Sequence, residues 1–146
     1  MLDGFELVRL EPMPVLKVSR GRGEKRDIDA HSLWFLLSDL SDSVVWIEHV
    51  WGREGQSAGA GFQFGKAAGA PEHLCIAGGI RHELVTPQRW KRGLRIGSGK
   101  DDARAAAMRL WPAWAGEFRR RRADFAEAAL IAEYGRRQEG AGNVFD

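Results

Sequence analysis

The stretch Val44-Val45-Trp46-Ile47-Glu48, residues 44–48, decides how the rest of the chain is read. Its continuous apolar run has the pattern of a strand buried on both faces, central in a sheet, and it stops on a carboxylate. An open α/β sheet commonly presents its chemistry at such a point, because the strand fixes the side chain while the loop beyond is free to meet a ligand. Glu48 is therefore a candidate catalytic residue. The plainer reading makes it the first polar residue after a strand.

Upstream of that strand, Phe5 to Leu10 alternates imperfectly between apolar and polar residues, Pro12-Met13-Pro14 breaks the run, and Val15 to Val18 resumes it. This pattern predicts two short strands in a hairpin. Ser19 to Arg26 is rich in glycine and charge and reads as a mobile loop. Asp29 can cap a helix to Leu40 whose Leu33, Trp34, Leu36, Leu37 and Leu40 share a face. Downstream, a glycine-rich loop from Gly52 to Gly61 leads into a helix from Phe62 to Ile76, where Gly65, Ala67, Ala68 and Gly69 would allow close backbone packing. His82 to Val85 is another strand, Thr86-Pro87 opens a helical turn through Trp90 and Lys91, and Gly97-Ser98-Gly99 is a flexible link. Helices over Asp101–Leu110 and Ala123–Arg137, divided by Pro112, finish a single domain spanning residues 1–146. Strands first together and then separated by helices give an α/β class.

With 44% hydrophobic residues, six Trp and seven Phe, the 146 residues can build a real core. Cys75 is the only cysteine, so no intrachain disulfide forms, and no apolar run reaches the length of a membrane span. The start Met1-Leu2-Asp3-Gly4 lacks the features of a secretory signal, and the expected setting is the cytoplasm. Net charge is only +2, yet residues 81–146 hold 14 Lys/Arg against 9 Asp/Glu while residues 1–80 hold 8 against 11. The run Arg119, Arg120, Arg121, Arg122 suits a polyanion, since each neutralised phosphate releases counterions, although such a run also serves as a solvated surface.

Asp124 and Glu127 stand at i, i+3, which puts both carboxylates on one helix face, within reach of a common hard cation. A solvated acidic pair on a surface helix is the alternative. His31, His49, His73 and His82 lack zinc-ligand spacing, and Gly97-Ser98-Gly99-Lys100 lacks both the spacing of a phosphate-binding loop and the Ser/Thr after its lysine.

Several phrases in order carry a resemblance. Trp46-Ile47-Glu48-His49-Val50, then Gly55-Gln56 and Phe62-Gln63-Phe64-Gly65-Lys66, then Leu84-Val85-Thr86-Pro87-Gln88-Arg89-Trp90-Lys91, Gly99-Lys100 and Ala123-Asp124-Phe125-Ala126-Glu127-Ala128 are similar to the strand, loop, V-T-P-Q-x-W-K and last acidic helix of the RuvC-type Holliday-junction resolvases. Members of that family are metal-dependent DNA endonucleases of the RNase H-like fold, a mixed sheet flanked by helices, and the match is to their short phage-type form. The resemblance implies that Glu48, Asp124 and Glu127 bind two Mg²⁺ or Mn²⁺ ions and that Lys91 and Lys100 meet the scissile phosphate. It further implies that Gln56, Phe62, Phe64, Lys66, Gln88 and the arginines 119–122 approach branched DNA such as a four-way junction, and that the protein works as a homodimer. One of Phe62 and Phe64 would stack on an unpaired base; packing inward is the other role open to them. The dimer face would be the apolar face of the first helix or the small-residue helix after Phe62.

The resemblance departs at its start. Family members open with a strand ending in an Asp, whereas Asp3-Gly4 reads as a turn before Phe5 with no strand ahead of it, so the first metal ligand has no counterpart here. Two explanations compete: a true start upstream, giving an active nuclease, or a truncated resolvase that binds branched DNA without cutting. The survival of Glu48, Asp124, Lys91 and Lys100 favours the first. A non-nucleic-acid assembly protein on the same fold is a third expectation, which DNA binding at moderate salt would exclude.

Overall fold

The computed structural model describes the chain except positions 4–5, 21–22, 41, 53, 120–122 and 143–146, and leaves the side chains at 20, 23–25, 100 and 141–142 undescribed as well. The chain divides into two compact units, Met13–Leu84, and Met1–Pro12 together with Val85–Asp146.

In the Met13–Leu84 unit, Val15–Arg20 pairs antiparallel with Gly23–Ile28, from Val15 opposite Ile28 to Arg20 opposite Gly23. These strands are β3 and β4 in chain order. The hairpin therefore lies one strand later than the sequence pattern predicts, and most of the expected mobile loop Ser19–Arg26 is strand. Its charged residues carry no apolar alternation to reveal it, because a ladder with one face in water needs only occasional apolar residues. Helix α1 (Ala30–Ser38) starts at Asp29, which accepts hydrogen bonds from the Ser32 N–H (3.1 Å) and the Ser32 hydroxyl (2.7 Å). These bonds hold the Asp29 carboxyl below the usual range.

Strand β5 (Val45–Glu48) and strand β6 (His82–Val85) form a two-stranded sheet joined through helix α2 (Ala58–Gly78). All four β5 residues are half-buried and, among the described residues, β6 is the strand paired with it, so the expected central, doubly buried strand is not what forms. Leu33, Leu37, Cys75 and Ile80 make the core of this unit, with Ile28, Val45, Ile47, Ala70 and Leu74 packed against it. Helix α2 begins at the cap Ser57, inside the expected glycine-rich loop, and ends at Gly79 with φ 63°, the left-handed conformation that glycine adopts without strain. Gly78 is where close approach demands glycine: a Cβ there would overlap the Trp34 ring. Gly65 has nothing within 4 Å of such a Cβ, and Gly69 meets only His73 of its own helix, so these two do not serve the close packing their composition suggests.

In the other unit, Leu2–Asp3 (β1) pairs with Glu6–Leu7 (β2), so a short strand does carry Asp3. Helix α3 (Pro87–Gly93) follows the cap Thr86, whose hydroxyl accepts from the Arg89 N–H (3.3 Å), with Pro87 in the first turn where its missing N–H costs nothing. Helix α4 (Lys100–Leu110) packs on helix α6 (Ala123–Gly142). Between them lie a 3-10 turn (Pro112–Trp114) and helix α5 (Ala115–Arg119), which the sequence pattern does not announce. Trp90, Trp111, Phe118, Phe125, Leu130, Ile131 and Tyr134 are buried here. The Arg104 guanidinium ties α4 to α5 by donating to the carbonyls of Phe118 (3.0 Å) and Arg119 (3.4 Å).

Among the described residues no helix is long and apolar enough to cross a membrane.

Candidate functional site

Glu48 ends β5 and lines a cavity of ≈ 220 Å³ shared with His49, Glu72, Phe64, Gly65 and Gly69. The small residues of α2 thus keep space open beside the carboxylate. Phe64 belongs to the cavity wall, whereas Phe62, two residues earlier, is 69% exposed; the structure separates the two aromatics that the sequence names together. His49 stacks on Trp51 with ring centroids 4.7 Å apart and planes 27° from parallel, and Trp51 is 59% exposed. An exposed indole held in orientation by a neighbouring ring is a ready stacking surface. Sequence reading passed over Trp51. Its position three residues beyond Glu48, between Val50 and Gly55-Gln56, is the signal that the sequence carries.

Gln56 is exposed in the loop before α2. Lys66 is ion-paired with Asp27 of β4, so its charge is engaged within its own unit. Cys75 is fully buried, and burial pushes its thiol up, which makes it a core residue rather than a nucleophile.

In the Val85–Asp146 region, α3 and α6 bring Lys91 and Glu127 together at 3.6 Å, with side chains 22% and 37% exposed. Lys91 Nζ also lies 5.2 Å from the centroid of the buried Trp90 ring. Half-buried between a ring face and a carboxylate, the ammonium has a defined position rather than the freedom of a surface lysine. Asp124 is exposed one turn before Glu127, the shared face that their spacing predicts. A Mg²⁺ ion takes one or two carboxylates and completes its shell with water and phosphate oxygens, which is the donor set Asp124 and Glu127 offer. No group of three or more His, Cys, Asp or Glu side chains able to hold a metal forms among the described residues. Gln88 and Arg119 are exposed. Arg120, Arg121 and Arg122 lie outside the described residues, as does the side chain of Lys100.

No protein-family model and no curated relative matches the sequence. Among solved structures, RuvC of Thermus thermophilus is similar over 86% of this chain and 87% of its own, at 15% identity and a TM-score of 0.50. At that identity the likeness concerns fold, and with helices flanking small sheets the chain has the RuvC-like, RNase H-like α/β fold.

Proposed function

We propose that the whole chain acts as one nuclease domain that hydrolyses phosphodiester bonds in branched DNA such as four-way junctions. In this reading Glu48, Asp124 and Glu127 bind Mg²⁺ or Mn²⁺, and water is the nucleophile. The observation that carries it is the meeting of Lys91 and Glu127. The sequence resemblance names these residues separately, one for phosphate and one for metal, and they come from different helices. Held by these carboxylates, such cations would offset charge on the phosphate and activate water at neutral pH. Lys91 supplies a positioned positive charge for the phosphate as its negative charge grows. Trp51, oriented by His49, gives an unpaired base a face to stack on, and Phe62 offers a second exposed ring. Lys100 would join Lys91 at the scissile phosphate, and Gln56, Gln88 and the arginines 119–122 would contact the backbone around the cut. Two symmetric nicks resolve a four-way junction, which calls for a homodimer. The resemblance to the short phage-type form supports a setting in a bacterial or phage-infected cytoplasm.

The pairing of Glu127 with Lys91 also favours a second reading, a junction binder that does not cut, since a ligand held by an ammonium must first release it to take a cation.

A labelled four-way junction and a linear duplex of the same sequences, incubated with the protein in Mg²⁺, Mn²⁺ or EDTA, test both. The nuclease reading expects metal-dependent nicks confined to the junction. Tight, salt-sensitive junction binding without nicks selects the second reading, and no binding at moderate salt eliminates both.

A further inference from the structure

Helix α3 ends in a conformation that its sequence should avoid. Arg95 N–H donates to the Arg92 carbonyl (3.0 Å) and Ile96 N–H to the Lys91 carbonyl (2.8 Å), the paired bonds of a Schellman cap. The residue at the left-handed position of such a cap is ordinarily glycine. Here it is Arg95, with φ 56°, the one non-glycine positive φ among the described residues. Glycines stand close by at 93 and 97, so the chain places a long cationic side chain where a residue without one would be relaxed.

Arg95 borders a cavity of ≈ 180 Å³ that Arg109 of α4 and Arg137 of α6 also line, together with Leu94, Ile96, Ala106 and Leu110. Three arginines, from the α3 end, α4 and α6, contribute to the lining of this one opening. Arg137 is steadied by its Nε bond to the buried Glu133 (2.7 Å), a carboxylate that Arg136 also occupies through both its Nε (2.8 Å) and Nη2 (3.0 Å). One carboxylate thus serves two arginines. Neither Arg95 nor Arg109 has an ion-pair partner among the described residues. The Arg95 loop is held in place as well, because Gly93 packs so tightly on the Tyr134 ring that a Cβ there would collide with it. The result is a positively charged recess with three arginines and, among the described residues, no acid in its lining, the Glu133 carboxylate behind Arg137 being shared with Arg136. A guanidinium fork matches the oxygens of a phosphate better than any neutral ligand.

We propose that the recess of Arg95, Arg109 and Arg137 is a phosphate-binding site, taking either the phosphodiester of a nucleic-acid backbone or a free phosphate or nucleotide. The nucleic-acid source rests on the reading of the chain as a DNA-acting protein; the free-phosphate source does not. Binding here is separate from the chemistry assigned to Glu48, Asp124 and Glu127, so the two stand or fall on different readouts.

The test measures anisotropy of a labelled oligonucleotide duplex with the wild-type chain and with Arg95→Gly, Arg109→Gln and, as a control for bulk charge, Arg81→Gln. Competition by inorganic phosphate is compared with chloride at equal ionic strength. Arg95→Gly relieves the strained backbone, so its thermal midpoint should rise while its affinity falls about tenfold, a combination that misfolding cannot produce. Arg109→Gln should also weaken binding about tenfold and lower the slope of log affinity against log salt by about one, with Arg81→Gln near wild type. Phosphate competition beyond that of chloride assigns the site to free phosphate as well. Weakened duplex binding without such competition assigns it to the nucleic-acid backbone. If both Arg95→Gly and Arg109→Gln bind duplex and phosphate as the wild type does, or if Arg81→Gln loses as much as they do, the proposal is overturned. Binding is read in EDTA, so an absence of cleavage leaves the result readable.

Discussion

The two units bury their aromatic residues very differently. Around α3 to α6, Trp90 and Phe118 are fully buried, Trp111 and Tyr134 nearly so, and the exposed large apolar residues of that unit, among those described, are Met1 and Val8. In Met13–Leu84, Phe35, Trp51, Phe62 and Ile76 are exposed, β5 is half-buried, and a cavity stands open beside Glu48. One unit spends its apolar surface on packing, while the other leaves aromatic faces and space next to a carboxylate. The contrast therefore predicts that stability and ligand contact respond to substitutions in different places.

The largest effect should come from Trp90→Ala. Removing this side chain should cost about 3–5 kcal/mol in urea-induced unfolding, whereas Phe62→Ala, which takes away an exposed ring, should stay within about 0.5 kcal/mol. Comparable losses for both would erase the contrast.

Glu133 comes next. Burial alone would push its carboxyl up, but the hydrogen bonds and charges of Arg136 and Arg137 outweigh burial and hold it below the ordinary carboxylate range. Because the folded value is depressed, its contribution is fully present above the unfolded glutamate value of about 4.3 and is lost as pH falls through the folded one. Glu133→Gln should cost about 2 kcal/mol at pH 7. The gap between wild type and variant should close on acidification, as followed by the thermal midpoint from pH 7 to pH 3. A gap that stays constant or widens in acid would show that the pair contributes nothing ionic.

Glycine substitutions along α2 sharpen the comparison within one helix. Gly78→Ala drives a methyl into the Trp34 ring and should destabilise by about 1–3 kcal/mol. Gly65→Ala meets open space and should stabilise by about 0.5–1 kcal/mol through helix propensity. Its methyl also faces the Glu48 cavity, so a gain in stability accompanied by weaker junction binding would tie the open space to function.

Much of this was readable in advance wherever a local rule dominates. Asp29 with Leu33 and Leu37, Thr86-Pro87, and the spacing of Asp124 and Glu127 lead directly to a capped helix, a helix start and a shared face. The β4 strand escaped because Glu24 to Asp27 carry no apolar residue, with Ile28 at its end packed against the core, so the hydrogen-bonded ladder left no periodic trace. Ser57 was hidden as a cap by the glycines around it. The pairing of Lys91 with Glu127 and the convergence of Arg95, Arg109 and Arg137 are tertiary events. No spacing along the chain announces them, although the family resemblance placed the first pair in one list of residues. Trp51 was missed for a different reason: a tryptophan in a loop is read as core until its exposure is known.

The most direct measurement of the central claim is junction cleavage in Mn²⁺ by the wild-type chain, Glu48→Gln, Asp124→Asn and Trp51→Ala, with junction affinity determined on the same samples. The nuclease account predicts nicking by the wild type that falls at least about a hundredfold in Glu48→Gln and Asp124→Asn with affinity retained, while Trp51→Ala loses affinity. Cleavage that persists undiminished in both carboxylate variants, or a wild type that binds the junction and never nicks it, would contradict the account.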